Sequence, residues 1–181
     1  MFILIGAGGI LLISISRASL EMMTKEEREG KLRTEPVIID NVEIYKLPQS
    51  TVLPDNKYYW LKEVRDWTWQ KFSFGEENKI QIWLILADKK VSEARVLMGR
   101  GKYDLAFKSY QKAIDQLKYA NSLVYKIENK DIVKNQMINQ IRKITEVYKK
   151  MIEEIGKNDK IDEQKYLLLL QKINEFEEKQ I

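Results

Sequence analysis

The chain has 181 residues and a net charge of +4, with 44% hydrophobic and 32% charged residues but only 8 Gly and 3 Pro. It is too apolar to stay disordered and too poor in turn-formers for a many-stranded β protein. It contains no Cys and no His, which excludes disulfides, thiolate or imidazole zinc sites, cysteine nucleophiles, Ser-His triads and histidine bases. Only carboxylate or lysine chemistry remains, and no motif marks a place for it. No catalytic, cofactor-binding or metal-ligating residue is therefore assigned. Acids and bases interleave, as in Lys62-Glu63-Val64-Arg65-Asp66, whereas a nucleic-acid binder concentrates its cations in a stripe. No nucleic-acid partner is expected.

Phe2 to Ser16 carries no charged side chain. That is short for a span of about 20 apolar residues and suits the core of a signal peptide. Residues 1–18 are read as a signal peptide, cleaved after Ala18, or as a membrane anchor if uncleaved. Arg17, Lys25, Arg28, Lys31 and Arg33 follow the run, and on an uncleaved anchor they would hold the rest of the chain in the cytoplasm. Ile3 to Ile10 resembles a strand meeting a glycine-rich phosphate turn, but Leu11 stands where the third glycine belongs, so dinucleotide binding is rejected.

Residues 19–52 read as a tether and an extended segment. Within them Val37-Ile38-Ile39, Asp40-Asn41 and Val42-Glu43-Ile44 suggest a small hairpin turning at Asp40-Asn41. Residues 53–181 read as one helical domain. The first helix is expected over about Asn56 to Phe72, capped by Asp55 after Pro54, with Tyr59 and Leu61 inserted among the other helices. Leu61, Val64 and Trp67 share a stripe, and Trp60 and Trp69 broaden it. The second helix, about Glu76 to Gly99, spaces Ile80, Leu84, Ala87, Val91, Ala94 and Met98 by fours and threes. A turn at Arg100-Gly101-Lys102 precedes a third helix bearing Tyr103, Ala106, Tyr110, Ala113, Leu117, Ala120, Val124 and Ile127. A fourth carries Met137 to Ile155 and stops at Gly156. The last presents Tyr166, Leu169, Ile173 and Phe176. The predicted fold is all-α: an antiparallel bundle of about five helices, preceded by the hydrophobic segment and a short extended stretch.

Trp60, Trp67 and Trp69 cannot share one face of a straight helix. Either the extended segment covers them, which is the expectation, or part of this surface is a contact for a partner or a membrane interface. The acidic groups Glu153-Glu154, Asp159 and Asp162-Glu163 lack the spacing of a calcium loop and read as solvated surface.

Gly101-Lys102-Tyr103-Asp104-Leu105-Ala106, with Tyr110 and Ala113, resembles the second helix of a tetratricopeptide repeat. No second copy follows at the 34-residue period, and one repeat makes no peptide groove. A wider resemblance is carried by Leu53, Pro54, Asp55, Tyr59, Leu61 and Lys62, then Ala87, Asp88 and Lys89, then Gly101 and Lys102. This set is similar to a bacterial domain family of unknown function whose members open with an L-P-D-x-P-x-Y-x-L-K segment. Lys57 and Trp60 depart from that pattern. The resemblance implies a secreted or membrane-attached protein and no activity. The expected function is thus a non-enzymatic, exported or membrane-anchored scaffold or interaction domain at the cell envelope, with no cofactor and an unidentified protein partner. Its helical part would lie outside the cytoplasm, and Trp60, Trp67 and Trp69 are the candidate contacts. The alternative is a cytoplasm-facing, tetratricopeptide-like adaptor on a reverse anchor.

Overall fold

The computed structural model describes residues 34–50, 52–128 and 131–179. The expectations for residues 1–18 and for the tether up to Arg33 lie outside the described residues. The chain is mostly helical, with five helices and one two-stranded sheet among the described residues. Strands β1 (Thr34–Ile39) and β2 (Val42–Pro48) pair antiparallel, Thr34 opposite Pro48 and Ile39 opposite Val42, with a bulge between Val37 and Ile38. The turn falls at Asp40-Asn41, whose φ angles of 50° and 63° are left-handed. Asp and Asn tolerate that region better than other side chains bearing a Cβ, and two such residues make the tight turn that matches strand twist. A lone hairpin is marginal in water; this one is held down by Val37 and Leu47, both buried.

The helices are α1 (Tyr59–Phe72), α2 (Glu76–Gly99), α3 (Tyr103–Val124), α4 (Asp131–Ile155) and α5 (Glu163–Glu178). Helices α2 and α3 fold back on each other and share the most extensive contact among the described residues. Ala87 and Ala94 of α2 and Ala106, Ala113 and Ala120 of α3 are all fully buried; small side chains let two backbones approach closely. The turn between them ends α2 with two paired hydrogen bonds. Gly101 N–H donates to the Met98 carbonyl at 3.0 Å and Lys102 N–H to the Leu97 carbonyl at 2.9 Å. Gly101 sits at φ 71°, the left-handed position that this terminus requires and that glycine adopts without a Cβ penalty.

Helix α4 packs on α3, and α5 on both. Ile141, Ile144, Tyr148, Ile152, Leu169 and Ile173 join the core from these two helices. Asp162 caps α5, its Oδ1 accepting from Lys165 N–H at 3.2 Å. The surprise is α2. All eleven residues from Leu84 to Ala94 are buried, including Asp88, Lys89, Lys90 and Glu93. The expected apolar seam of α2 is present, but its charged face is enclosed as well, by α1 and the hairpin.

Helix α1 departs most from expectation. It begins at Tyr59, three residues later than Asn56, because Asn56 Oδ1 accepts from Tyr58 N–H at 2.9 Å and the Leu53 carbonyl from Asn56 N–H at 2.9 Å, forming a turn first. Asp55 therefore caps nothing. Leu61 does not insert among the other helices either; it is exposed, along with Trp60, Val64 and Trp67. Trp69 alone of that stripe is buried, in a small cluster with Ile82 and Leu86. The extended segment does not cover the aromatic surface of α1, since β2 packs on α2 instead.

Candidate functional site

Of the residues singled out along the sequence, Asp55, Tyr59 and Lys62 meet α2 or the turn that closes it, whereas Trp60, Leu61 and Trp67 face away. Leu53 is buried at the start of the segment. The Asp55 carboxylate accepts from Lys102 Nζ at 2.6 Å and lies 3.5 Å from the Arg100 guanidinium. The Lys102 hydrogen bond holds the Asp55 carboxyl below the usual carboxylate range. The segment before α1 is thus fastened to the turn that closes α2.

One turn further along, Tyr59 and Lys62 reach the enclosed charges of α2. Tyr59 donates its hydroxyl to Glu93 Oε2 at 2.8 Å and accepts from Lys90 Nζ. Lys62 Nζ donates to Glu93 Oε1, and Ser50 reaches the same oxygen at 3.4 Å. Lys90 also lies 3.4 Å from Glu93 Oε2 and 3.4 Å from Glu63 Oε1. Glu93 is fully buried, at 0% exposure. A carboxylate so enclosed persists as a charge only if neighbours supply countercharge and donors. Here two ammonium groups, a phenol and a hydroxyl do so.

Burial, chiefly, pushes the Tyr59 hydroxyl far above its ordinary value, with the Glu93 charge adding to the effect. Burial likewise lowers the Lys90 ammonium, partly offset by Glu93. On the outer side of the cluster, desolvation of Glu63 is outweighed by its contacts to Lys112, at 2.8 Å, and Lys90, which hold its carboxyl below the usual range.

Two further buried groups complete the flank. Asp88 accepts from Tyr45 of β2 at 2.8 Å and from Tyr148 of α4 at 2.7 Å, pinning three elements at one carboxylate. Lys89 lies over the Trp69 ring at 5.2 Å, and the Arg65 guanidinium lies 4.5 Å from the same ring, a cation–π arrangement. Ala87 is fully buried against α3.

The chain matches a family model described as a domain of unknown function (DUF5667), over residues 51–180. The chain belongs to the DUF5667 family. It matches none of the curated proteins and none of the solved structures with which it was compared. The DUF5667 match spans both the segment bearing Leu53, Pro54, Asp55, Tyr59 and Lys62 and the α2–α3 stretch bearing Asp88, Lys89, Gly101 and Lys102, which the fold joins through the contacts above.

The other prominent feature of this DUF5667 domain is the outer face of α1. Lys62 and Asp66 point inward and are buried, while Trp60 (61% exposed), Leu61, Val64 and Trp67 (54% exposed) point outward. Helices on a protein surface ordinarily do the reverse. Trp69, at 3% exposed, offers no surface to a partner, so any contact on this helix centres on Trp60 and Trp67. Beside Trp67 an open cleft of about 570 Å³ runs between α1, α2 and α3, lined by Trp67, Trp83, Tyr119, Lys71, Lys79 and Lys126 among others. The Trp83 and Tyr119 rings stack at 4.4 Å between centroids, tilted by 50°. Sequence reading missed the ion cluster because the spacing of Lys90 and Glu93 is equally that of a solvated helix face; only the placement of α1 encloses them.

Proposed function

We propose that this chain is a non-enzymatic interaction domain of the cell envelope, exported or held by its amino-terminal apolar segment, and that the outer face of α1 is its contact surface. The observation that carries the reading is the reversed polarity of α1. Burying Lys62 and Asp66 while exposing Trp60, Leu61, Val64 and Trp67 forgoes hydrophobic burial worth about 1.5–3 kcal/mol per large side chain, which is recovered if something else covers that face. Lys62, Lys90 and Glu93 satisfy one another, and this supports a structural rather than a chemical role for them.

A photo-activatable residue placed at Trp60 or Trp67 in intact cells tests the contact surface, with the same residue at Lys143 of α4 as control. Adducts at the two α1 positions and none at Lys143 are expected; their absence at α1 would sink the reading. A reporter fused after Ile181 is expected to be active outside the cytoplasm. Activity inside would favour the second reading, an adaptor facing the cytoplasm, which the tight, alanine-lined α2–α3 pair supports through its likeness to a tetratricopeptide hairpin.

A further inference from the structure

We infer that the occupant of the α1 face is an anionic lipid surface, an inference that rests on the contact surface proposed above. Three observations support it. The first is shape and composition: Trp60, Val64 and Trp67 lie at i, i+4 and i+7 on a convex helix face with Leu61 beside them. Amphipathic aromatic rings of this kind settle at the boundary between headgroups and acyl chains.

The second is charge. Lys71 continues the same face one turn beyond Trp67, and Lys79 and Lys126 line the adjoining aromatic cleft. Glu76, also in the cleft, is paired with Lys79 at 3.3 Å. Lys71 and Lys126 form no ion pair among the described residues. Lys71 and Lys126 thus place cations beside the apolar face, Lys126 with Glu77 and Glu128 nearby, and such cations complement phosphate-bearing headgroups, each adding measurably to binding near an anionic surface. Trp67, Trp83 and Tyr119 form the aromatic side of the same cleft, so phosphate oxygens at the lysines and acyl or glycerol carbons against the rings are accommodated together.

The third is the chain before the described residues. The uncharged run Phe2 to Ser16 precedes them, and residues 17–33 can reach no more than roughly 60 Å at full extension. If that run enters a bilayer, the domain stays close to the lipid surface, and an interfacial face need bind only weakly.

The test uses the full chain with vesicles of phosphatidylcholine alone or mixed with phosphatidylglycerol, each carrying bromine on the acyl chains to quench tryptophans that enter the interface. Strong quenching by the anionic vesicles is expected. It should fall to the share contributed by Trp83 of the cleft in Trp60→Phe/Trp67→Phe, since the other remaining tryptophan, Trp69, is buried, and be reduced several-fold in Lys71→Glu/Lys126→Glu. No quenching would overturn the inference, whether or not the chain floats with the vesicles. So would equal quenching by zwitterionic vesicles, or quenching that survives both double substitutions. Adducts at Trp60 or Trp67 in cells, combined with no quenching, would mean that the face is a contact surface occupied by a protein. Absence of both would remove the face and its occupant together.

Discussion

Tyr148 donates its hydroxyl to Asp88 at 2.7 Å, bridging α4 to the enclosed face of α2 across sixty positions of sequence. The same carboxylate accepts from Tyr45 at 2.8 Å. One carboxylate thus ties both the hairpin and α4 to α2. Replacing Tyr148 by Phe removes one donor from a buried carboxylate and is expected to cost about 1–3 kcal/mol, measured by chemical denaturation with the denaturant slope unchanged.

The pH dependence of stability follows from the buried phenols. Burial, reinforced by Asp88, raises the Tyr148 hydroxyl well above 10.0, and burial raises Tyr110 and Tyr59 as well. A group raised in the folded state contributes stability that is complete below its unfolded value and lost above it. Stability is therefore expected to fall steeply as pH rises beyond about 10, with tyrosinate absorbance appearing together with unfolding. Tyr148→Phe makes that alkaline slope shallower. Tyrosinate absorbance that rises before any loss of helical signal would contradict the assignment.

Removing Glu93 strands two ammonium groups. Glu93→Gln is expected to destabilise by about 3–5 kcal/mol, the range for breaking a buried ion pair from one side. Lys62→Met alone should cost a similar amount, and Glu93→Gln/Lys62→Met less than the sum. Strict additivity in this double-mutant cycle would show that the two residues do not interact.

Gly101 has open space around its Cα but a φ of 71°. Gly101→Ala is therefore expected to cost about 1–2 kcal/mol from backbone strain alone, and Gly101→Asn less, because Asn visits the left-handed region. A thermal melt of the three chains ranks them; equal midpoints would show that the turn relaxes to another geometry.

The tryptophans of α1 separate packing from surface. Trp69→Ala should cost about 3–5 kcal/mol through the cavity it leaves beside Ile82 and Leu86. Trp60→Ala and Trp67→Ala should each stay within about 0.5 kcal/mol of the parent chain. A large loss at Trp60 or Trp67 would mean that the outer face of α1 is covered within the protein itself.

Much of the architecture was legible along the chain. The spacing from Ile80 to Met98 and from Tyr103 to Val124, with Gly101 between, defines two helices and their turn, because helical period and a left-handed glycine are local properties. The hairpin turn at Asp40-Asn41 is local for the same reason. Helix α1 was legible as a helix but misread in orientation. Its apolar stripe through Leu61, Val64 and Trp67 predicted the buried side, and the structure turns that side outward.

Local periodicity thus determined how many helices the described residues form and roughly where their turns fall, and composition that no thiol or imidazole of this sequence takes part in chemistry. Only tertiary structure decided that Lys62, Lys90 and Glu93 are core residues and that Trp60 and Trp67 are surface. A charge is buried or exposed according to the countercharge that another element brings to it. Tyr59 and Lys62 reach Glu93 from thirty or more residues away, a distance over which helical period carries no information.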